Sequence, residues 1–92
     1  MIAKEVIVVN QLGMHARAAA KFVHLATRFE SRITVARQAR QMDGKSIMGL
    51  LLLAASHGSR ITIAAEGSDA QQAVDELAAL VESGFGEDPC SV

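Results

Sequence analysis

Tryptophan and tyrosine are absent from this 92-residue chain, and three phenylalanines are its only aromatic residues. Base-stacking platforms would have to be built from Phe22, Phe29 and Phe85 alone. The formal net charge is −1, so the composition offers no basic footprint for a nucleic-acid backbone. Together these absences argue against an RNA-binding module. Cysteine occurs once, as Cys90, and cannot form an internal disulfide; a cytoplasmic location is the expectation. His15, His24 and His57 do not fall at a zinc-type spacing with other ligands, so no metal is expected. The longest apolar run, residues 50–55, is far short of the roughly 20 residues that a membrane span needs. The N-terminal stretch carries Glu5 and shows no cleavage-site pattern, which argues against a signal peptide.

What the chain does have is small aliphatic surface. Half of its residues are apolar, with 16 Ala, eight Val, eight Leu and six Ile. Disorder would require low hydrophobicity and high net charge, and neither is present. The length suits one hydrophobic core and therefore one domain.

Residues 2–9 are rich in β-branched side chains and lead into the Gly-containing stretch Asn10-Gln11-Leu12-Gly13, which reads as a strand followed by a loop. Over residues 16–28, Ala19, Phe22, Val23 and Ala26, continuing to Phe29, recur at helical spacing, with Lys21 and Arg28 off that face. Residues 32–38 alternate as a strand does, residues 40–43 form a short return strand, and Asp43-Gly44 turns the chain. Ser46 is placed to cap a short leucine-rich helix that Gly49 weakens. Residues 60–66 alternate again through Ile61, Ile63 and Ala65.

Ser68 and Gln71 have capping-box spacing ahead of a stripe of Ala70, Ala73, Val74, Leu77, Ala78 and Val81, and Gly84 is placed to stop that helix. The expectation is a domain over residues 1–88, with a frayed segment from Phe85 onward and a flexible tail at 89–92. The order β-α-β-β-α-β-α predicts an α+β fold: a two-layer open-faced sandwich with a four-stranded antiparallel sheet and three helices on one face.

The chemistry concentrates at Gly13-Met14-His15-Ala16-Arg17. His15 stands where a loop meets a predicted helix, and a helix start offers unpaired N–H groups and a positive dipole end. That field disfavours imidazolium and keeps the ring nucleophilic. Arg17 adds a forked cation suited to phosphate oxygens. These residues fit a histidine that accepts a phosphoryl group; they also fit an ordinary surface histidine near a helix start. Lys45-Ser46 poses a similar pair of readings. Ser46 serves as a plain N-cap, or as a phosphorylation site whose product the helix start would tolerate. Ile47, Met48 and Leu51 fit core packing as well as an exposed patch. His24 and His57 are taken as structural residues, the latter near a helix end where a histidine can cap carbonyls. Cys90 has no neighbouring constellation to activate it.

Taken together, Gly13-Met14-His15-Ala16-Arg17-Ala18-Ala19, Lys45-Ser46-Ile47-Met48-Gly49 and Gly58-x-x-Ile61-x-Ile63-x-Ala65-x-Gly67 resemble the HPr family over residues 1–88. That family comprises the histidine-containing phosphocarriers of the bacterial phosphoenolpyruvate-dependent phosphotransferase system. The resemblance implies that His15 is phosphorylated on Nδ1, taking phosphate from Enzyme I and passing it to EIIA-type domains. It implies that Ala16 and Arg17 flank the phosphate, and that Ser46 is a regulatory site for HPr kinase/phosphorylase. Ile47, Met48 and Leu51 would form an apolar docking patch ringed by Arg17, Lys21 and Lys45, suited to brief contact with acidic partners. Transcriptional regulators are further implied partners. The carrier would be a monomer and a stoichiometric substrate rather than an enzyme, with no cofactor.

Two features depart from the pattern. Most family members have proline after the arginine, where this chain has Ala18. Leu12-Gly13-Met14 and the segment Ser83-Gly84-Phe85-Gly86-Glu87-Asp88 resemble the nitrogen-related branch, whereas Lys45-Ser46-Ile47-Met48-Gly49 resembles the serine-regulated sugar branch. A regulatory interaction module worked through Ser46 with His15 idle is the alternative, and an ordinary two-layer binding domain is a third reading.

Overall fold

The computed structural model describes residues 1–86. Its elements are β1 (Ile2–Ile7), α1 (Ala16–Ala26), β2 (Arg32–Arg37), β3 (Arg40–Asp43), α2 (Ile47–Leu53), β4 (Arg60–Glu66) and α3 (Ala70–Glu82). A 3₁₀ turn, Gly84–Gly86, follows α3. The four strands form one antiparallel sheet in the order β1-β4-β2-β3. This is the open-faced sandwich that the alternation of strand and helix patterns predicts.

Strand period two decides which face is core. Along β4, Ile61, Ile63 and Ala65 are buried while Arg60 and Glu66 are exposed. The register sets Ile63 opposite Val35, Ala65 opposite Ile33 and Ile61 opposite Val6, so one face becomes continuous aliphatic surface. The helices cover that face: α3 packs on β1 and β4, α2 on β2 and β3, and α1 packs against both helices. α3 buries the predicted stripe of Ala70, Ala73, Val74, Leu77, Ala78 and Val81. α1 buries Ala18, Ala19, Phe22 and Ala26, and its small side chains let neighbouring elements approach closely. Each fully buried Leu, Ile or Phe contributes about 1.5–3 kcal/mol relative to exposure.

Several ends differ from the sequence reading. The ladder of β1 stops at Ile7 rather than residue 9, although Val8 still exchanges bonds with the turn before β4, donating to Ser59 and accepting from Gly58. α1 ends at Ala26 because Arg28 and Phe29 donate to Leu25 and Ala26 in tighter turns. Gln38 is no longer strand; with φ 56° it turns the chain from β2 to β3.

The Ser68–Gln71 capping box does not form. Asp69 is the N-cap of α3, and its side chain makes no capping bond. Its carboxylate instead accepts from the amides of Glu30 (2.9 Å) and Ser31 (3.0 Å) and from the Ser31 hydroxyl. Gln71 turns forward to Asp75. A tertiary demand has displaced a local one, because two amides in the α1–β2 turn need an acceptor. The Ser31 hydroxyl, then the Glu30 amide, holds the Asp69 carboxyl below the usual carboxylate value, with burial opposing. Gly67 permits the approach: a Cβ there would lie 2.6 Å from Ser31 Oγ and 2.8 Å from Ser31 Cα.

The α2 carbonyls are capped from the hairpin, not by His57: Arg37 reaches Leu53 O at 3.4 Å and Arg40 reaches Leu52 O at 3.0 Å. Phe85 is not frayed. It is 1% exposed, and its carbonyl accepts from Lys21 Nζ at 2.7 Å. The expectation for the tail at 89–92, and with it Pro89 and Cys90, lies outside the described residues.

Candidate functional site

The site begins with a loop held at both sides. Gly13 has φ +68°, and a Cβ there would lie 2.7 Å from Ala55 O. The next amide, Met14 N–H, donates to that same carbonyl at 2.8 Å. Asn10 closes the loop from within: its Nδ2 donates to Gly13 O at 2.8 Å and its carbonyl accepts from Gly13 N–H at 3.1 Å. Asn10 and Met14 are both buried. The sequence reading named neither Asn10 nor Ala55 as a positioning residue, since Ala55 is 42 positions from Gly13 in the chain.

His15 follows as the N-cap of α1, half-buried, in extended backbone with φ −77° and ψ 178°. Its carbonyl accepts the first helical bond, from Ala19 N–H at 2.8 Å. Its ring makes no capping bond to the helix. The amides of Ala16, Arg17 and Ala18 therefore belong to the open first turn, where backbone geometry supplies no acceptor. No acidic residue stands in that turn to cancel the dipole. Ala16 and Arg17 are exposed, and among the described residues Arg17 has no carboxylate within ion-pair distance. The arrangement brings His15, the donors of the helix start and the Arg17 guanidinium together at the N-terminus of α1.

Ser46 caps α2: its Oγ accepts from Gly49 N–H at 3.0 Å and its carbonyl from Leu50 N–H at 3.0 Å. α2 then divides its apolar residues. Leu50 and Leu53 are fully buried, while Ile47, Met48, Leu51 and Leu52 are exposed by 42, 68, 38 and 58%. Leu12 is exposed as well. The sequence reading placed neither Leu12 nor Leu52 in the docking patch. The spacing of three between Leu50 and Leu53 was the available signal, since it turns Leu51 and Leu52 away from the core.

The lysines are less free than the sequence suggests. Lys21 donates to Phe85 O and Lys45 donates to Phe29 O, each at 2.7 Å. Both ammonium groups tie a helix or turn to a distant backbone carbonyl, and among the described residues Arg17 is the one of the three cations named for docking with no such tie. His24 and His57 are both exposed. Among the described residues no cluster of His, Cys, Asp or Glu could hold a metal ion, and no helix is long and apolar enough to cross a membrane.

Comparison with known proteins bears on this geometry. A family model described as the PTS HPr component phosphorylation site matches residues 2–83. The phosphocarrier protein HPr of Cupriavidus necator is 46% identical over 87 residues, covering 95% of this chain and 98% of the relative. The phosphocarrier protein NPr of Shewanella violacea is 39% identical over 84 residues, covering 91% and 92%. The crystal structure of HPr from Thermoanaerobacter tengcongensis superposes with a TM-score of 0.92 at 40% identity, covering 96% of this chain and 99% of that one. With a histidine at an open helix start, a matching sandwich and near-complete coverage at these identities, the chain belongs to the HPr family of phosphotransferase-system phosphocarriers.

Proposed function

We propose that this protein relays a phosphoryl group through Nδ1 of His15, receiving it from phospho-Enzyme I and delivering it to EIIA-type domains. One observation carries the reading: His15 is the residue that starts α1, with an acid-free first turn and Arg17 two positions on. The neutral ring attacks with the Nδ1 lone pair while its proton sits on Nε2. A nitrogen–phosphorus bond forms to His15 as the one to the donor histidine breaks in line; the donor, protonated on its other ring nitrogen, leaves as a neutral imidazole, and His15 keeps its Nε2 proton as a phosphorylated imidazolium. The first-turn amides and Arg17 hold the phosphoryl oxygens through the transfer. An open, shallow setting keeps the phosphohistidine accessible to the next acceptor. The exposed Ile47, Met48 and Leu51, extended by Leu52 and Leu12, supply the docking surface beside it. Incubation with phosphoenolpyruvate, magnesium and Enzyme I adds one acid-labile phosphate by intact mass, absent in His15→Ala. No mass shift in the wild type refutes the reading.

Ser46 supports a second, compatible role. Its hydroxyl sits at the start of α2 beside the exposed patch, so phosphorylation would place roughly two negative charges at a partner-facing surface. HPr kinase/phosphorylase and a transcriptional regulator are the partners this role implies. ATP-dependent labelling of Ser46 without any transfer at His15 would favour a purely regulatory module over the carrier.

A further inference from the structure

The four methionines differ in how far water and small solutes reach their sulfur. Met14, next to His15, is 4% exposed and belongs to the core, and Met42 is half-buried against it. Met1 and Met48 are 84 and 68% exposed. Met1 precedes β1, whereas Met48 stands in the first turn of α2. It is three positions from Leu51 and four from Leu52, so the three side chains share one side of the helix. The exposed apolar neighbours of Met48 on α2, Ile47, Leu51 and Leu52, are inert hydrocarbon. Met48 alone among them carries an atom that mild oxidants attack, a thioether sulfur.

We propose that Met48 is a reversible oxidation site, and that its sulfoxide weakens docking on α2. The inference rests on the carrier reading, which makes this patch the docking surface. The oxidant is hydrogen peroxide. The sulfur lone pair attacks one peroxide oxygen, and a sulfur–oxygen bond forms as the oxygen–oxygen bond breaks. The departing hydroxide takes the proton from the transferred oxygen and leaves as water, so sulfur loses two electrons and peroxide gains them. A methionine sulfoxide reductase reverses the change, releasing the oxygen as water while two thiols become a disulfide. In the free carrier the new oxygen is hydrated, and the fold is undisturbed because the side chain lies on the surface. In a complex that oxygen is stripped of water against apolar partner surface, so the cost falls on docking. Burial of Met14 keeps the same chemistry away from the loop that positions His15.

The test uses Cys90→Ser throughout, which removes the only thiol. Samples are treated with hydrogen peroxide, mapped by peptide mass, and assayed for phosphoryl transfer from phospho-Enzyme I. Met1 and Met48 should gain oxygen first, Met42 later and Met14 last. On oxidation the KM for this protein as acceptor should rise about tenfold with little change in maximal rate, and reductase treatment should restore it. Met48→Leu, compared with its own untreated sample, should show no rise although Met1 is oxidised. Oxidation of Met14 or Met42 ahead of Met48, an unchanged KM once Met48 is fully oxidised, or an equal rise in Met48→Leu overturns the inference and leaves the carrier reading intact. Loss of native NMR dispersion on oxidation overturns it too, since oxidation would then act through stability. An untreated protein that accepts no phosphate refutes both.

Discussion

Gly13 shows how one residue positions another. Its φ of +68° and the 2.7 Å that would separate a Cβ from Ala55 O leave room only for hydrogen. Gly13→Ala combines left-handed strain with displacement of the loop that carries His15, and should cost about 2 kcal/mol or more. A lowered urea midpoint together with slower Enzyme I-dependent labelling is the expected result. Ser46 is a milder case. Ser46→Ala leaves Gly49 N–H without its acceptor and should cost about 1 kcal/mol in chemical denaturation. The Ser46 cap was legible in the sequence, ahead of a leucine run, because a helix start is a local event; Gly13 was read there as part of a turn and the His15 motif, and its close approach to Ala55, 42 positions on, was not. The carbonyl partners of Lys21 and Lys45 were not legible, since they lie 64 and 16 residues away.

Between elements, the contact of Asp69 with the α1–β2 turn is the clearest case of long-range choice. The sequence offered a local solution for the start of α3, the Ser68–Gln71 box, and the fold uses Asp69 to bind Glu30 and Ser31 instead. The hydrogen bonds hold the folded carboxyl below its unfolded value, with the Ser31 hydroxyl the largest cause. Stability from this contact is therefore complete above the unfolded carboxylate value of about 3.9 and is lost as pH falls through the folded one. Thermal melts of the wild type should decline more steeply than those of Asp69→Asn below about pH 4, converging in strong acid. Parallel curves would show that Asp69 bears no such linkage. α2 adds a related lesson: its terminal carbonyls find Arg37 and Arg40 on a hairpin, which no pattern within the helix announces.

Over the whole molecule, a net charge of −1 conceals an uneven surface. Arg17, Lys21 and Arg28 line one groove between α1 and α3, while Glu5 pairs with Arg60 at the sheet and Glu82 with Lys4 across β1 and α3. Steering of acidic partners should follow the local field rather than the total. Stopped-flow association with Enzyme I is expected to slow by about tenfold as salt rises from low to high ionic strength. A rate insensitive to salt would mean that apolar contact alone governs encounter. The helices cover one sheet face; the other carries Thr34, Ala36, Thr62 and Ala64 with exposed Arg32 and Arg60, while Arg17, Lys21, Arg28 and the exposed residues of α2 are carried on the helical layer.

The sequence by itself determined the element order, the core faces of β4 and α3, and the placement of His15 at a helix start. Each depends on periodicity or capping within a few residues of chain. Tertiary structure alone decided which side chains are already engaged. Asp69 turned from its own helix to Ser31, Lys21 and Lys45 took backbone carbonyls, and Phe85 left the expected frayed end for the core. Those choices depend on donors and acceptors that meet only when distant segments pack. An unmatched buried polar group costs more than a lost local cap, so the fold satisfies the distant partner first.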